Sequence, residues 1–285
     1  MTTNTKPNVV SIFNRTDRKK RPELALDIPT KPAAEERPAQ AAHVIPAGKP
    51  KMILAIGSGQ TGKSTLLRWA AERAMERGSE TVMATLAPNR TLKRYFPDTM
   101  HPDGNSTSAG AAFLEMFFDA TAEDKVNAVL DFPGDDTALL HMLDQGADPV
   151  ATMEQAGVEV VALFTLSPRV EDLTAMAQLV AKGFTPTATA LILNQGVTRD
   201  PTLPPEPEFD AVIEHSAYCA AVKRGAVAIW MPRLYSAKSI EEEGSGLLFG
   251  RARNSPALGP SDRSRTHHWL RAMDEAFAPI ASWLP

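Results

Sequence analysis

The segment with the clearest chemical meaning is a glycine-rich loop between an apolar run and a helical pattern. It fits Gly-x-x-x-x-Gly-Lys-Ser and reads Gly57-Ser58-Gly59-Gln60-Thr61-Gly62-Lys63-Ser64-Thr65. Its glycines let backbone N–H groups turn inward around phosphate oxygens, and the helix start adds partial positive charge. We expect Lys63 to reach the β- and γ-phosphates of a nucleotide and Ser64 to ligate Mg²⁺. The sequence therefore predicts that the whole loop binds nucleotide and that Lys63 is catalytic.

A second motif supplies a carboxylate at the end of another apolar run. It reads Ala128-Val129-Leu130-Asp131-Phe132-Pro133-Gly134. We expect Asp131 to hold Mg²⁺, directly or through water, and the Gly134 N–H to meet the γ-phosphate. Asp135 and Asp136 follow at once; Asp135 is a candidate catalytic base, although both acids also suit the start of a helix.

The nucleobase is predicted from a third strand end. Asp131-x-x-Gly134 also fits GTPases, but the Asn-Lys-x-Asp that reads guanine is absent. The corresponding residues are Leu193-Asn194-Gln195-Gly196, with no Asp following. This favours adenine. Asn194 either contacts the base edge or only ends its strand, and Pro232 lies where a base could pack.

These motifs require a parallel sheet that brings their strand ends together. Apolar runs typical of buried strands cover 52–56, 81–86, 128–131, 158–165, 188–194 and 226–231. Helical patterns cover 66–77, 109–122, 135–146, 170–182, 208–223 and 266–282, whereas 241–246 and 254–260 indicate loops. The alternation predicts a three-layer α/β sandwich with a mainly parallel sheet, the P-loop NTPase fold, over residues 50–285.

Residues 1–49 have a different composition. They carry nine basic and five acidic residues and several prolines, with no sustained hydrophobic period. We expect a disordered basic tail; the alternative is a tether that binds a partner or nucleic acid through Arg15, Arg18, Lys19, Lys20 and Arg21.

Composition excludes several classes of protein. Formal net charge is −4, which argues against a general polyanion binder, and Cys219 is the one cysteine, which excludes an internal disulfide and argues against structural zinc. No secretory signal and no transmembrane segment is expected, so we predict a cytoplasmic protein.

From about 51 to 240 the order of motifs resembles the ParA/MinD-type ATPases. The resemblance rests on the loop at 57–65, Asp131-Phe132-Pro133-Gly134, Leu166-Ser167-Pro168 leading to a helix, Asn194 and Pro232. It implies an ATP- and Mg²⁺-dependent homodimer that works with a protein partner, and with DNA or a membrane, in plasmid partition or cargo positioning. The loop favours the non-deviant, conjugation-associated branch.

Two departures from that family bear on mechanism. The lysine that the family usually carries early in the loop is Ser58 here, and a glycine is replaced by Gln60. The family's Asp-x-Asp-Pro matches Thr85-Leu86-Ala87-Pro88, without either carboxylate. Whether the chain forms the family's ATP-dependent dimer and whether it hydrolyses ATP are therefore both open. A non-hydrolysing ATP-binding scaffold is one alternative, and a small-molecule kinase or ligase using Arg90, Lys93 and Arg94 is another.

The remaining basic residues suggest a second ligand. Arg233, Lys238, Arg251, Arg253, Arg263 and Arg265 cluster in the last third of the sequence. A basic face could hold non-specific DNA with salt-dependent affinity, although Glu241, Glu242 and Glu243 lie among them.

Overall fold

A computed structural model describes residues 42–104, 106–134, 137–242 and 246–285. The described residues form one six-stranded sheet whose paired strands are all parallel, in the order β2-β3-β1-β4-β5-β6. The strands are β1 (Lys51–Ile56), β2 (Thr81–Thr85), β3 (Asn127–Asp131), β4 (Glu159–Leu166), β5 (Ala188–Asn194) and β6 (Val227–Met231). The predicted α/β fold with a mainly parallel sheet is confirmed.

Helices cover both faces of the sheet. They are α1 (Lys63–Glu76), α2 (Thr107–Asp124), α3 (Ala138–Asp144), α4 (Pro149–Ala156), α5 (Thr174–Ala181), α6 (Glu206–Ile213), α7 (Ser216–Lys223), α8 (Ala237–Glu242), α9 (Phe249–Ala252) and α10 (Pro260–Ala276). Short 3-10 turns span Thr91–Arg94, Val170–Leu173, Gln195–Val197 and Ala278–Trp283. None of the described helices is long and apolar enough to cross a membrane.

Strand alternation divides the core into two layers. In β1, Met52, Leu54 and Ile56 face a cluster that includes side chains of α2 to α7. Ile53 and Ala55 face the opposite cluster, built with α1, α9 and α10. Successive side chains of a strand point to opposite faces, so a continuous apolar run is what a sheet covered on both sides requires.

Several helix predictions are corrected by backbone geometry. The helix predicted over 208–223 is two helices, because His215 has extended backbone and its ring caps the Ala217 N–H. The helix predicted over 266–282 begins earlier, with Pro260 at its first turn, and ends at Ala276. The loop predicted over 241–246 begins inside α8.

The chain also packs onto the domain earlier than its composition suggests. Ile45 is buried in the core, the Trp283 indole N–H donates to the His43 carbonyl, and Lys49 pairs with Glu159. The tail predicted over 1–49 therefore includes residues that belong to the folded domain, because a short apolar segment among prolines gives no periodic pattern. The earlier part of that tail lies outside the described residues.

Candidate functional site

The glycine-rich loop lies where the sheet changes its direction of winding. It joins β1 to α1, and β1 is flanked by β3 on one side and β4 on the other. The chain runs from β1 to the β2–β3 side and then crosses to β4. The crevice at the carboxyl ends of strands at such a switch point is the usual ligand position in open α/β sheets.

Lys63 and Ser64 open α1 and face into this crevice. The Lys63 ammonium is buried and donates to the carbonyl oxygens of Gly57 at 2.7 Å and Ser58 at 2.8 Å. The Ser64 hydroxyl donates to Asp131 Oδ2 at 3.1 Å. The structure therefore brings together the lysine, hydroxyl and carboxylate that the two sequence motifs predicted.

Asp131 is the most perturbed acid of the site. It is fully buried at the end of β3, and its Oδ1 has no hydrogen-bond partner among the described residues. Burial raises the pKa of its carboxyl to about 6, opposed by the Lys63 charge and the Ser64 hydrogen bond. The buried oxygen is thus available for one further interaction.

The residues present fit a magnesium ion. Mg²⁺ prefers oxygen ligands and is usually held by one or two protein groups together with phosphates and water. Ser64 and Asp131 supply a hydroxyl and a carboxylate, and Asp131 Oδ1 is the unpartnered acceptor. No group of three or more His, Cys, Asp or Glu that could cage a metal occurs in the part of the chain that the structure describes.

Two glycines are required by close approaches around the loop. A Cβ at Gly57 would lie 2.5 Å from the Thr165 carbonyl oxygen, and one at Gly134 would collide with the backbone N of Gly59. Gly134 therefore lies directly against the loop, as a residue offering its N–H near the γ-phosphate would. Gln60 has a φ of 66°, a left-handed conformation that glycine adopts with less strain.

Thr165 is a site residue that the sequence analysis did not identify. Its hydroxyl lies 2.7 Å from the Thr61 hydroxyl, and Thr61 also donates to the Ser58 carbonyl. Both threonines have no exposed surface. The only sequence signal was a polar residue near the end of an otherwise apolar strand.

Asn194 contacts the loop. Its amide Nδ2 donates to the Thr61 carbonyl at 2.9 Å, and its Oδ1 accepts from the Gly196 N–H at 2.8 Å. The side chain is 3% exposed. The structure thus places Asn194 against the glycine-rich loop, whereas its predicted contact with a base edge stays a prediction.

A cleft of about 650 Å³ joins these parts. At the phosphate end it is lined by loop residues, by Asp131 to Gly134 and by Ala87, Pro88 and Asn89 after β2; Gly57, Ser58 and Thr61 are not in the lining. The other end has neutral walls formed by Asn194, Gly196, Val197, Met231, Pro232, Leu234 and Ala237. Pro232 lines this end and its carbonyl accepts from the Trp269 indole, whereas the packing of a base against it stays a prediction.

The other predicted cations lie elsewhere. Lys63 is the only lysine or arginine among the described residues that line the cleft. Arg90, Lys93 and Arg94 are absent from that lining, and the Lys93 ammonium lies 3.0 Å from His101 Nε2. Asp135, the candidate base, lies outside the described residues.

Comparison with known proteins assigns the chain to no family. No protein-family model matches the chain, and no curated protein matches it either. The signal recognition particle receptor FtsY from Elizabethkingia anophelis in complex with GDP is similar at 15% identity and TM-score 0.40, covering 68% of this chain and 61% of that one. Chloroplast FtsY from Physcomitrella patens is similar at 16% identity and TM-score 0.39, covering 68% of this chain and 61% of that one.

A third solved structure is similar over more of this chain. The signal recognition particle 54 kDa protein from Aeropyrum pernix K1 in complex with GDP gives 16% identity and TM-score 0.41, covering 81% of this chain and 51% of that one. The chain thus spans less than two thirds of the length of each of the three. They do not assign it to the ParA/MinD-type family, and that resemblance remains a proposal.

Proposed function

We propose that this protein binds Mg²⁺-ATP at its glycine-rich loop and acts as a ParA-like nucleotide switch with a protein partner. The observation that carries the proposal is the assembly of Lys63, Ser64 and buried Asp131 at one strand edge. Lysine charge suits the β- and γ-phosphates, and hydroxyl with carboxylate suits their magnesium. Plasmid partition, conjugative transfer and cargo positioning are the processes that the family resemblance suggests.

Adenine is the proposed base because the described residues that line the neutral end of the cleft include no carboxylate. Guanine readers of the Asn-Lys-x-Asp type place an Asp beside the base. The described residues at that end are apolar or backbone groups, together with an asparagine whose amide is already hydrogen bonded. This composition supports adenine, which needs no such carboxylate.

A switch is favoured over a small-molecule kinase by the position of the cations. Phosphoryl transfer to a bound acceptor usually uses additional positive charge around the transferred group. The described lining of the cleft supplies Lys63 and no other lysine or arginine. ATP consumption that depended on a small-molecule acceptor would instead support the kinase.

The alternative of a non-hydrolysing ATP-binding scaffold depends on whether the site can activate water. Ala87 and Pro88 line the phosphate end of the cleft at the positions matching Asp-x-Asp-Pro, and the Thr85 hydroxyl accepts from the Ala87 N–H. Neither side chain there can orient an attacking water as a carboxylate does. We therefore expect slow intrinsic turnover, with the partner contributing to the hydrolysis step.

The experiment is the solution mass by light scattering with Mg²⁺-ATP, with Mg²⁺-ADP and without nucleotide. We expect a monomer that becomes a dimer only with Mg²⁺-ATP. Lys63→Ala should stay monomeric and lose measurable nucleotide affinity, because the phosphates lose their only lysine in the described lining. Radiolabelled ATP turnover, measured on the same samples, separates a hydrolysing switch from a scaffold.

The control is Lys182→Ala, which changes an exposed lysine that pairs with Asp144. It should behave as wild type in mass and in binding. A wild-type mass that is the same in all three conditions would exclude the ATP-dependent dimer, and ATP binding unaffected by Lys63→Ala would exclude the loop as the site.

A further inference from the structure

The glycine-rich loop is held from behind by two neighbouring strands. Both contacts converge on Thr61, which has no exposed surface. The Thr165 hydroxyl, near the end of β4, lies 2.7 Å from the Thr61 hydroxyl. The Asn194 amide, at the end of β5, donates to the Thr61 carbonyl at 2.9 Å. Thr61 directly precedes Gly62 and Lys63, so these contacts fix the backbone from which the phosphate ligands project.

The same asparagine also reaches the opposite end of the cleft. Its Oδ1 accepts from the Gly196 N–H, and Gly196 and Val197 line the neutral end. A Cβ at Gly62 would overlap the Asn194 amide, so loop and side chain are in direct van der Waals contact. One N–H of the Asn194 amide and its carbonyl oxygen are thus both bonded to protein backbone.

From these contacts we infer that Asn194 and Thr165 are positioning residues for the triphosphate, and that Asn194 does not select the base. Because Nδ2 and Oδ1 are each bonded to backbone, the orientation of the Asn194 amide is fixed by the loop and by Gly196, and turning it toward a nucleobase would break one of these bonds. Base preference then comes from the shape and backbone groups of the neutral end. The inference rests on the proposed nucleotide-binding function and assigns two of its residues.

If Asn194 and Thr165 position the triphosphate, their loss should also affect ligands that have no base. Loss of either anchor lets the loop relax away from the conformation that presents its N–H groups and Lys63, so every ligand with a triphosphate should be affected alike. A base-reading residue would instead affect nucleotides and leave inorganic tripolyphosphate unchanged.

The test is calorimetric titration of the full-length protein with Mg²⁺-ATP, Mg²⁺-GTP and Mg²⁺-tripolyphosphate. Asn194→Ala should weaken all three by a similar factor, about tenfold or more for the loss of buried hydrogen bonds. The ratio of ATP to GTP affinity should stay within about twofold of wild type. Thr165→Val, which keeps the side-chain shape but replaces the hydroxyl with a methyl group, should show the same pattern.

The matched control is Thr189→Ala, near the start of β5. At about 3.3 Å per residue it lies roughly 16 Å from Asn194, and it should bind all three ligands as wild type does. Near-ultraviolet circular dichroism confirms that each variant keeps its tertiary packing. Because Thr165→Val lies on another strand, it still tests the inference if Asn194→Ala does not fold.

Two results would overturn the inference. One is unchanged tripolyphosphate affinity in a folded Asn194→Ala or Thr165→Val variant. The other is a shift of the ATP to GTP ratio by tenfold in Asn194→Ala. Failure of the proposed function gives a different result, because the wild-type protein would then bind neither ATP nor GTP. If wild type still binds tripolyphosphate, the effect of the two variants on that binding still tests the positioning role.

Discussion

Asp131 combines a predicted functional role with a cost to folding stability. Its pKa is about 6 in the folded protein because burial disfavours the charge, compared with the usual 3.8. A raised acid pKa means that this group costs no stability below about pH 4. The cost grows as pH rises and is complete above about pH 6, where the difference corresponds to about 3 kcal/mol.

Asp131→Asn should therefore stabilise the ligand-free protein at pH 7.5 by up to about 3 kcal/mol, while weakening Mg²⁺-dependent nucleotide binding. Urea unfolding of both proteins at pH 5 and pH 7.5 measures the effect, and the gain should be smaller at pH 5. Asp144→Asn, at a half-exposed carboxylate on α3, is the control and should change stability little at either pH. A variant less stable than wild type at pH 7.5 would show that the ionised carboxylate is better satisfied than its burial indicates.

At the level of single residues, the sequence motifs identified the candidate ligands of phosphate and Mg²⁺, but not the side chains that support them. Gly62, Lys63, Ser64 and Asp131 belong to local patterns whose spacing follows from phosphate and magnesium chemistry. Thr165 supports the loop from a strand more than a hundred residues away in the sequence. Such a contact depends on the order of strands in the sheet, which no local pattern contains.

Among the secondary-structure elements, the strands could be predicted from the sequence more closely than the helices. The predicted strands agree with the observed ones to within one residue at most ends, because a sheet buried on both faces leaves continuous apolar runs. Helix α4 was not predicted, although Asp148 caps the Ala151 N–H and Pro149 opens the helix, which is a start signal present in the sequence. The break between α6 and α7 depends on the backbone conformation of His215, which periodicity alone does not give.

Helix α1 carries a contact that fixes the C-terminal segment to the phosphate-loop helix. Arg68 and Glu72 form a buried ion pair at 3.2 Å, and the Arg68 guanidinium lies between the rings of Tyr95 and Phe249. Glu72 also accepts the backbone N–H groups of Phe249 and Gly250, each at 2.8 Å. This one carboxylate therefore accepts from three donors, two of which are buried and one part-buried.

Glu72→Ala should destabilise the protein by about 3–5 kcal/mol, because it leaves a buried guanidinium and two backbone N–H groups without their acceptor. Urea unfolding followed by tryptophan fluorescence measures the change. The control is Glu275→Ala, which removes an exposed partner of Arg271 on α10 and should cost at most about 0.5 kcal/mol. Equal small losses in both variants would mean that the buried pair contributes no more than an exposed one.

At the scale of the whole molecule, the C-terminal cations give limited support to DNA binding. Lys238 pairs with Glu242 and Arg265 with Asp262, and Arg233 donates to Thr198. Neighbouring acids reduce the positive potential that a phosphate backbone would meet. A protein partner is therefore the first ligand to seek for the proposed switch.

The contacts of residues 42–49 separate the predicted tail from the folded domain, and two truncations test this boundary. Removal of 1–41 retains the buried Ile45 side chain and the His43 carbonyl that accepts from Trp283. That protein should unfold at the wild-type urea midpoint. Removal of 1–49 deletes both contacts and should cost about 2–5 kcal/mol, the usual range for losing a buried aliphatic side chain.

Mg²⁺-ATP titration of both truncated proteins completes this test. The cleft lies at the carboxyl ends of the strands, whereas residue 49 leads into the start of β1, so both proteins should bind nucleotide wherever they remain folded. Ile45→Ala in the full chain isolates the core contribution and should account for most of the loss. Equal stability of the two truncations would place the folded boundary at residue 50, whereas loss of nucleotide binding on removing 1–41 would assign the tail a direct part in the site.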